Sequence, residues 1–138
     1  MEATELQIII KTPVNPTEDK GKVARCLQNI LDKPQIEEEA DYLVVRSSHQ
    51  MVLASIRAKL REERIIDTAR KIILRNFWRD SDYVEFFLNK QAAFAGRINF
   101  VTNPDQEDYL GPITVTITGD EVQKVIDWLT WTSSESEE

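Results

Sequence analysis

Two hydrophobic patterns lie next to each other in residues 60–100, which read LREERIIDTARKIILRNFWRDSDYVEFFLNKQAAFAGRINF. In the first, Ile66, Ala69, Ile73 and Phe77 recur at the spacing of an amphipathic helix. In the second, residues 83–89 alternate between apolar and polar side chains, which is typical of a strand with one buried face. We therefore predict a helix followed by a strand, and both need a common core to cover their apolar sides.

Another apolar stripe precedes this helix and is formed by Leu53, Ile56 and Leu60. It is rotated by more than a third of a turn relative to the stripe that contains Ile66, at about 100° per residue. No glycine or proline occurs in residues 47–79. The change of phase nevertheless predicts two helices, with a break at residues 61–64, because both stripes can then face one core.

The rest of the chain predicts further strands and helices. Strands are predicted at residues 6–11, 42–46, 98–101 and 113–118, and helices are predicted to begin after the capping residues Asn15 and Thr118. The resulting order is β-α-β-α-α-β-β-β-α. It predicts one α+β domain at residues 1–131, with a largely antiparallel sheet and helices on one face. An acidic, disordered tail is predicted at residues 132–138.

The composition is that of a compact protein of one domain. Of the 138 residues, 41% are hydrophobic and 30% are charged, and the apolar runs are much shorter than the ~20 residues of a membrane helix. A single cysteine, Cys26, makes no internal disulfide and suits a reducing compartment, so we expect a cytoplasmic protein. The chain has only one histidine, His49, in addition to this one cysteine, so no catalytic triad can be assembled from them. We expect neither an enzyme nor a cofactor.

Charge is distributed unevenly along the chain. The formal net charge of −7 argues against a protein whose whole surface attracts nucleic acid. Residues 46–99 nevertheless carry eleven Lys/Arg and six Asp/Glu, whereas residues 100–138 carry one and nine. The sequence therefore predicts a basic region within an acidic protein. The acidic segment at residues 35–39 is predicted to be a solvated loop. Its three adjacent glutamates, Glu37–Glu39, are not expected to form a metal site, because consecutive residues rarely converge on one ion.

Several motifs of this chain resemble those of one archaeal family. They are NPTED and KVARCLQNI near the start, LREERIIDTAR in the middle, and FFLNKQAAFAGRINF, LGPITVTI and VIDWL towards the end. In this order and combination the chain is similar to uncharacterised protein family two hundred and one. The positions that match its motifs are Arg61, Asp67, Thr68, Ala69, Arg70, Asn89, Lys90, Gln91, Ala92, Ala93 and Gly96.

The resemblance implies a fold similar to that of the large-subunit ribosomal protein that binds the small ribosomal RNA of that subunit. It makes RNA a candidate partner by analogy of fold, and a fold alone does not fix a function. It implies no catalytic residues.

Basic side chains in and around the two central helices are the candidate RNA contacts. With one neighbouring amide they are Arg57, Arg61, Arg64, Lys71, Arg75, Lys90 and Gln91. The row on the second helix is predicted to extend to Arg79. Cations in a row can follow a phosphate backbone, which gives affinity without reading bases. The alternative is a solvated helix face whose charges are partly neutralised by Glu62, Glu63 and Asp67.

Arg70 lies nearer the apolar stripe than its basic neighbours. We predict that Asp67 and Arg70 belong to a structural ion pair, because a buried guanidinium needs a partner, which a loop or terminal carboxylate can provide. Lys90 and Gln91 stand among small residues that include Gly96. This composition predicts either close approach of a ligand or tight packing of a helix on the sheet.

These observations favour a protein that binds structured RNA without catalysing a reaction. The alternative is a structural or protein-interaction module, a homodimer that uses the threonine face of residues 113–118 and Trp131. An enzyme ranks third, and a deep pocket with converging polar groups near Lys90 and Gln91 would favour it.

Overall fold

The strands of the described chain form one antiparallel sheet. The computed structural model describes residues 5–102 and 111–131. Its strands are β1 (Gln7–Pro13), β2 (Glu37–Glu39), β3 (Tyr42–Ser47), β4 (Phe77–Trp78), β5 (Tyr83–Leu88) and β6 (Ile113–Thr118). They lie in the order β2-β3-β1-β6-β5-β4. Strands β1 and β6, which are distant in sequence, pair antiparallel at the centre of the sheet.

The helices in this part of the chain pack on one face of the sheet. They are α1 (Lys20–Ile30), α2 (Ala54–Glu62), α3 (Ile66–Arg75), α4 (Lys90–Phe94) and α5 (Val122–Leu129). Each buries apolar side chains in the core that also contains Ile8, Phe86 and Val115 of the sheet. The predicted α+β architecture, with helices on one face of an antiparallel sheet, is confirmed.

Alternation along the strands gives the sheet two different faces. On β1, Ile8 and Ile10 have no exposed surface, whereas Ile9 between them is partly exposed. On β6 the apolar residues are buried and the intervening threonines are partly exposed. Side chains of a strand alternate between faces, so the inner face joins the core and the outer face presents the threonines.

The predicted break between the central helices is confirmed. The chain leaves α2 through Arg64, whose φ of 59° lies in the left-handed region. The Ile65 amide donates to the Leu60 carbonyl at 3.0 Å, and the Arg64 amide donates to the Arg61 carbonyl at 3.2 Å. These two bonds define a Schellman ending, in which glycine is the usual left-handed residue.

Helix α4 ends in the same way, but with a glycine. Gly96 has a φ of 79°, the Arg97 amide donates to the Ala92 carbonyl at 2.8 Å, and the Gly96 amide donates to the Ala93 carbonyl at 2.9 Å. A Cβ on Gly96 would lie 3.7 Å from the Lys59 Nζ, an ordinary contact. The backbone conformation, rather than close packing, therefore requires this glycine.

Two sequence-based assignments, one of a loop and one of a strand, are wrong. Glu37–Glu39 forms the edge strand β2 on β3 rather than a loop, and Arg46 of β3 pairs with Glu37 and Glu39. Charged side chains suit an edge strand because they discourage pairing with another chain. Residues 98–101 form only a bridge between Leu88 and Phe100, because the Gly96 turn brings this segment against the end of β5.

The helix starts also differ from the prediction. Asp19 caps α1 by accepting from the Gly21 amide at 2.8 Å, whereas Asn15 belongs to a turn before the helix, where its amide donates to Glu18 at 3.0 Å. Helix α5 begins without a side-chain cap from Thr118. The predicted tail lies outside the described residues.

Candidate nucleic-acid interface

Arg57 on α2 anchors this helix to α5. Its Nε donates to the Trp128 carbonyl oxygen at 2.8 Å, and its guanidinium carbon lies 5.3 Å from the centre of the Trp128 ring. Burial and the neighbouring charge of Arg61 lower the pKa of Arg57. Arg57 thus has a structural contact, and it lies close enough to Arg61 for the two charges to interact.

Four of the predicted RNA contacts lie at the end of α2, in the turn after it and on α3, and we call this set the cationic surface: Arg61, Arg64, Lys71 and Arg75. Arg64, Lys71 and Arg75 are exposed and Arg61 is half-buried. Within residues 5–102 and 111–131, none of the four takes part in an ion pair or side-chain hydrogen bond. Their donors are therefore available to an anion from outside.

The acids on the same two helices do not pair with these cations. Glu63 accepts a hydrogen bond from the Ile98 amide at 3.1 Å and so holds the chain after α4 against α2. Glu62 and Asp67 are exposed, and no ion pair in the described part of the chain includes them. The described residues therefore contain no direct ion pair that neutralises these cations, and a solvated helix face stays the alternative to an RNA contact.

Arg70 has a structural role, but with a different partner from the predicted one. Its Nη1 donates to Asp127 Oδ1 at 3.0 Å and to Thr130 Oγ1 at 2.9 Å. Asp67, one turn earlier on the same helix, is not its partner. Arg70 lies on the side of α3 that faces α5, and it therefore joins α3 to the end of that helix.

The predicted row on α3 stops before Arg79. Helix α3 ends at Arg75, and Arg79 lies in a short turn, where its Nη1 donates to Gln123 Oε1 at 2.9 Å. Its guanidinium carbon lies 5.2 Å from the centre of the Phe77 ring. These contacts separate Arg79 from the cationic surface.

Lys90 does not belong to the interface. Only 5% of the residue is exposed, and its Nζ donates to Glu18 Oε1 at 3.0 Å, to Glu18 Oε2 at 3.2 Å and to the Pro13 carbonyl at 2.8 Å. The prediction that Lys90 contacts RNA is corrected, since its charge is already satisfied inside the protein. The Asn15 amides and Lys90 together lower the pKa of Glu18 against the opposing effect of burial.

A cleft of about 390 Å³ lies beside this buried pair, between the starts of α1 and α4. Its lining residues are Thr17, Glu18, Asp19, Lys22, Val23, Cys26, Lys90, Gln91 and Phe94. Gln91 is exposed there. Burial raises the pKa of the Cys26 thiol, and a protonated thiol is a poor nucleophile. The cleft therefore offers groups for binding rather than an activated nucleophile.

The outer face of the sheet is a second surface with neutral polar groups. The Tyr83 hydroxyl donates to Glu85 Oε2 at 3.0 Å, and Thr116 Oγ1 donates to the same oxygen at 3.2 Å. Burial and the bond to Glu85 raise the pKa of Tyr83. Trp131, the other predicted interface residue, is 36% exposed.

The described residues contain neither a metal-binding cluster nor a helix that could span a membrane. No group of three or more His, Cys, Asp or Glu side chains there is placed to hold a metal ion. Among the same residues, no helix has both the length and the apolar character needed to cross a membrane.

The sequence did not reveal which cations have internal partners. Glu18 is 72 positions from Lys90, and Asp127 is 57 positions from Arg70. Lys59 also has an internal partner that is distant in sequence, because its Nζ donates to the Gly96 carbonyl at 2.7 Å. No local pattern identifies such long-range pairs, because they depend on how the helices pack.

Comparison with known proteins identifies close relatives. A family model described as RNA binding matches residues 7–118. A UPF0201 protein of Sulfurisphaera tokodaii is 42% identical over 128 residues, which cover 90% of this chain and 86% of that protein. A UPF0201 protein of Aeropyrum pernix is 36% identical over 135 residues, which cover 94% and 89%.

A solved structure has the same fold. The crystal structure of a UPF0201 protein from Methanococcus jannaschii is 30% identical in sequence and matches with a TM-score of 0.73. The match covers 92% of this chain and 94% of that one. The likeness to a ribosomal protein stays a prediction.

Proposed function

The chain belongs to the UPF0201 family, and on this premise we propose that it binds structured RNA through the cationic surface and catalyses no reaction. The observation that carries the proposal is that Arg61, Arg64, Lys71 and Arg75 have no internal partner in the described chain. The match to a family model described as RNA binding supports it.

The arrangement of these cations suits a phosphate backbone. Lys71 and Arg75 occupy successive turns of α3, about 6 Å apart, and Arg64 projects from the turn that joins α2 to α3. Side chains at this spacing can each take one phosphate, and arginine can bind phosphate through two donors at once. Contacts of this kind position the protein on RNA but do not read its sequence.

The overall acidity of the chain limits the strength of binding. With a net charge of −7, the rest of the surface repels RNA at long range, and salt screens this repulsion over about 10 Å at 0.1 M. We therefore expect an orientation in which only the cationic surface approaches RNA.

Charge neutralisation tests the proposal. We define the neutralised variant as Arg61→Gln, Lys71→Gln and Arg75→Gln, and the control variant as Lys11→Gln, Lys20→Gln and Lys33→Gln. Both lose three positive charges. With a fluorescent RNA hairpin in low salt, we expect the neutralised variant to lose about tenfold or more in affinity and the control to lose much less. Equal losses would show that net charge, not this surface, governs binding.

The outer face of the sheet supports a second candidate, a homodimer. Arg46, Ile9, Thr116 and Glu85 lie in one row across four strands. The cation and the acid stand at opposite ends, about 14 Å apart at the usual strand spacing. In a two-fold dimer, Ile9 and Thr116 at the centre of this row can pack on the same residues of the second copy, while Arg46 keeps its pairs with Glu37 and Glu39.

Light scattering and one substitution test the dimer. We expect the mass of two chains for the protein and of one chain for Thr116→Lys, because a charge at the centre of the row repels its copy. A single-chain mass for the unsubstituted protein would exclude this candidate.

A further inference from the structure

We propose that the cleft between α1 and α4 binds one unpaired nucleotide, with its base against Phe94 and Gln91. The inference rests on the proposed RNA-binding function and extends it, because the cationic surface alone does not distinguish paired from unpaired RNA. The cleft volume of about 390 Å³ lies within the range of small-molecule sites.

An aromatic platform stands at the edge of the cleft. Phe94 is 41% exposed although α4 packs on the core. Asn29 of α1 donates its Nδ2 to the carbonyls of Phe94 at 2.9 Å and Ala93 at 3.1 Å. These bonds fix the backbone of α4 against α1, so the point from which the Phe94 side chain projects is held beside the cleft. Unpaired bases are commonly bound by stacking on such rings.

Two polar side chains of the cleft are available to a ligand. Gln91 and Lys22 are exposed, and in the described chain neither side chain has a hydrogen-bond or ion-pair partner. An amide offers both a donor and an acceptor, which suits the edge of a base. The ammonium of Lys22 suits a phosphate. One ring, one amide and one cation match the three parts of a nucleotide that proteins recognise.

The buried pair keeps the inner end of the cleft neutral. Glu18 and Lys90 are bound to each other, and their side chains are 14% and 6% exposed. Val23 and Cys26 add apolar surface beside them. A charged group entering here would lose its water without gaining a free partner. A flat neutral base fits this environment, and its phosphate can stay at the mouth.

The cleft is connected to the cationic surface through α2. Lys59 on α2 donates to the carbonyl of Gly96 at the end of α4, 2.7 Å away, and Arg97 follows as an exposed cation. Gln91 lies about 8 Å from Gly96 at the rise of a helix, and α2 is about 10 Å across.

Titration with nucleoside monophosphates tests the cleft without RNA. AMP, GMP, CMP and UMP are added separately at millimolar concentration while NMR signals of the Gln91 side-chain amide and the Phe94 ring are followed. We expect saturable shifts of these signals for at least one nucleotide and much smaller shifts for ribose 5-phosphate. If no nucleotide shifts them, or ribose 5-phosphate shifts them equally, the inference is overturned.

A second experiment uses RNA and the exposed side chain of Phe94. The probes are a perfectly paired RNA duplex and the same duplex with one unpaired nucleotide in a bulge. We expect Phe94→Ala to weaken binding of the bulged RNA by about 5-fold to 150-fold and to leave duplex binding unchanged. Met51→Ala, at another exposed apolar residue, is the matched control and should change neither. Equal weakening of both RNAs, or of neither, contradicts the inference.

The two proposals fail in different ways. If the neutralised variant loses binding while Phe94→Ala behaves like Met51→Ala with both RNAs, the cationic surface stands and the cleft inference falls. If the protein binds neither RNA but mononucleotides shift the Gln91 and Phe94 signals, the RNA proposal falls and the cleft stands as a nucleotide site.

Discussion

Lys90 and Lys71 are the same residue type in neighbouring parts of the chain, and the sequence predicted an RNA contact for both. In the structure, Lys90 is buried against Glu18, whereas Lys71 is exposed and has no ion pair in the described chain. The difference shows that the role of a cation depends on whether the fold places a carboxylate within reach. At the junction of α1 and α4, which contains Lys90 and Glu18, the charges stabilise the fold. On the cationic surface, the charges are available to a ligand.

The largest effect is expected at the junction. Lys90→Met leaves Glu18 without its cation in a mostly buried site, so we expect a loss of about 3 kcal/mol in the free energy of unfolding. Lys71→Met should change it by less than about 0.5 kcal/mol, because that site is exposed. Urea denaturation measures both. Similar values for the two variants would contradict the contrast between the regions.

The double variant Glu18→Gln with Lys90→Met distinguishes the contribution of the ion pair from that of the packing of the two side chains. It removes both charges and leaves no buried ion unpaired. We expect it to be more stable than Lys90→Met alone. If the losses of the single variants simply add, the two side chains do not interact.

The second effect concerns pH and involves the same pair. The pKa of Glu18 is lower in the folded protein than its ordinary value of 4.5. Its ionised form therefore stabilises the fold above about that pH, and the stabilisation is lost as the pH falls through the lowered pKa. Between pH 5 and pH 3, the unfolding free energy of the protein should fall more steeply than that of Glu18→Gln. Parallel curves would show that the carboxylate has the same pKa in both states.

The third effect concerns the two helix ends that share one backbone conformation. Gly96 ends α4, but Arg64 ends α2 with a φ of 59°. A non-glycine residue in this region costs about 1 kcal/mol or more, so Arg64→Gly should stabilise the protein by about that amount and weaken RNA binding. Arg64→Ala should weaken binding similarly without this gain in stability. Thermal unfolding and hairpin titration of both variants check this, and tighter RNA binding by Arg64→Gly would exclude Arg64 from the interface.

The smallest effect is expected at the link between α3 and α5. Arg70 and Asp127 form an ion pair whose side chains are 38% and 41% exposed, so solvent screens much of their attraction. We expect Asp127→Asn to cost about 0.5 kcal/mol in urea denaturation and to leave RNA binding unchanged. A loss as large as that of Lys90→Met would mean that this pair is shielded from water.

Local patterns predicted much of the fold because the relevant interactions are close in sequence. The phase shift between Leu60 and Ile66 predicted the break after α2, and alternation predicted β5 and β6. The strand predicted at residues 98–101 was wrong. Its apolar pattern does not show that the turn at Gly96 places this segment against the end of β5, where only one bridge forms.

The candidate site was less predictable. Helical spacing places Lys71 and Arg75 on one side of α3, whereas Arg61 and Arg64 lie at the end of α2 and in the turn after it. Lys90 is not part of the cationic surface because Glu18, in the turn before α1, binds it, and Arg70 binds Asp127 rather than Asp67. Helical spacing gives the side of a helix on which a charge lies. It does not give the element that packs against that side.

The salt dependence of RNA binding tests the central claim most directly. The logarithm of the association constant for a fluorescent RNA hairpin is measured against the logarithm of salt concentration, for the protein and for the neutralised variant. If Arg61, Lys71 and Arg75 each neutralise one phosphate, the slope of the variant should be smaller in magnitude by about 2 to 3, at ~0.7 to 0.9 per phosphate. Equal slopes, or binding that does not depend on salt, would contradict the account.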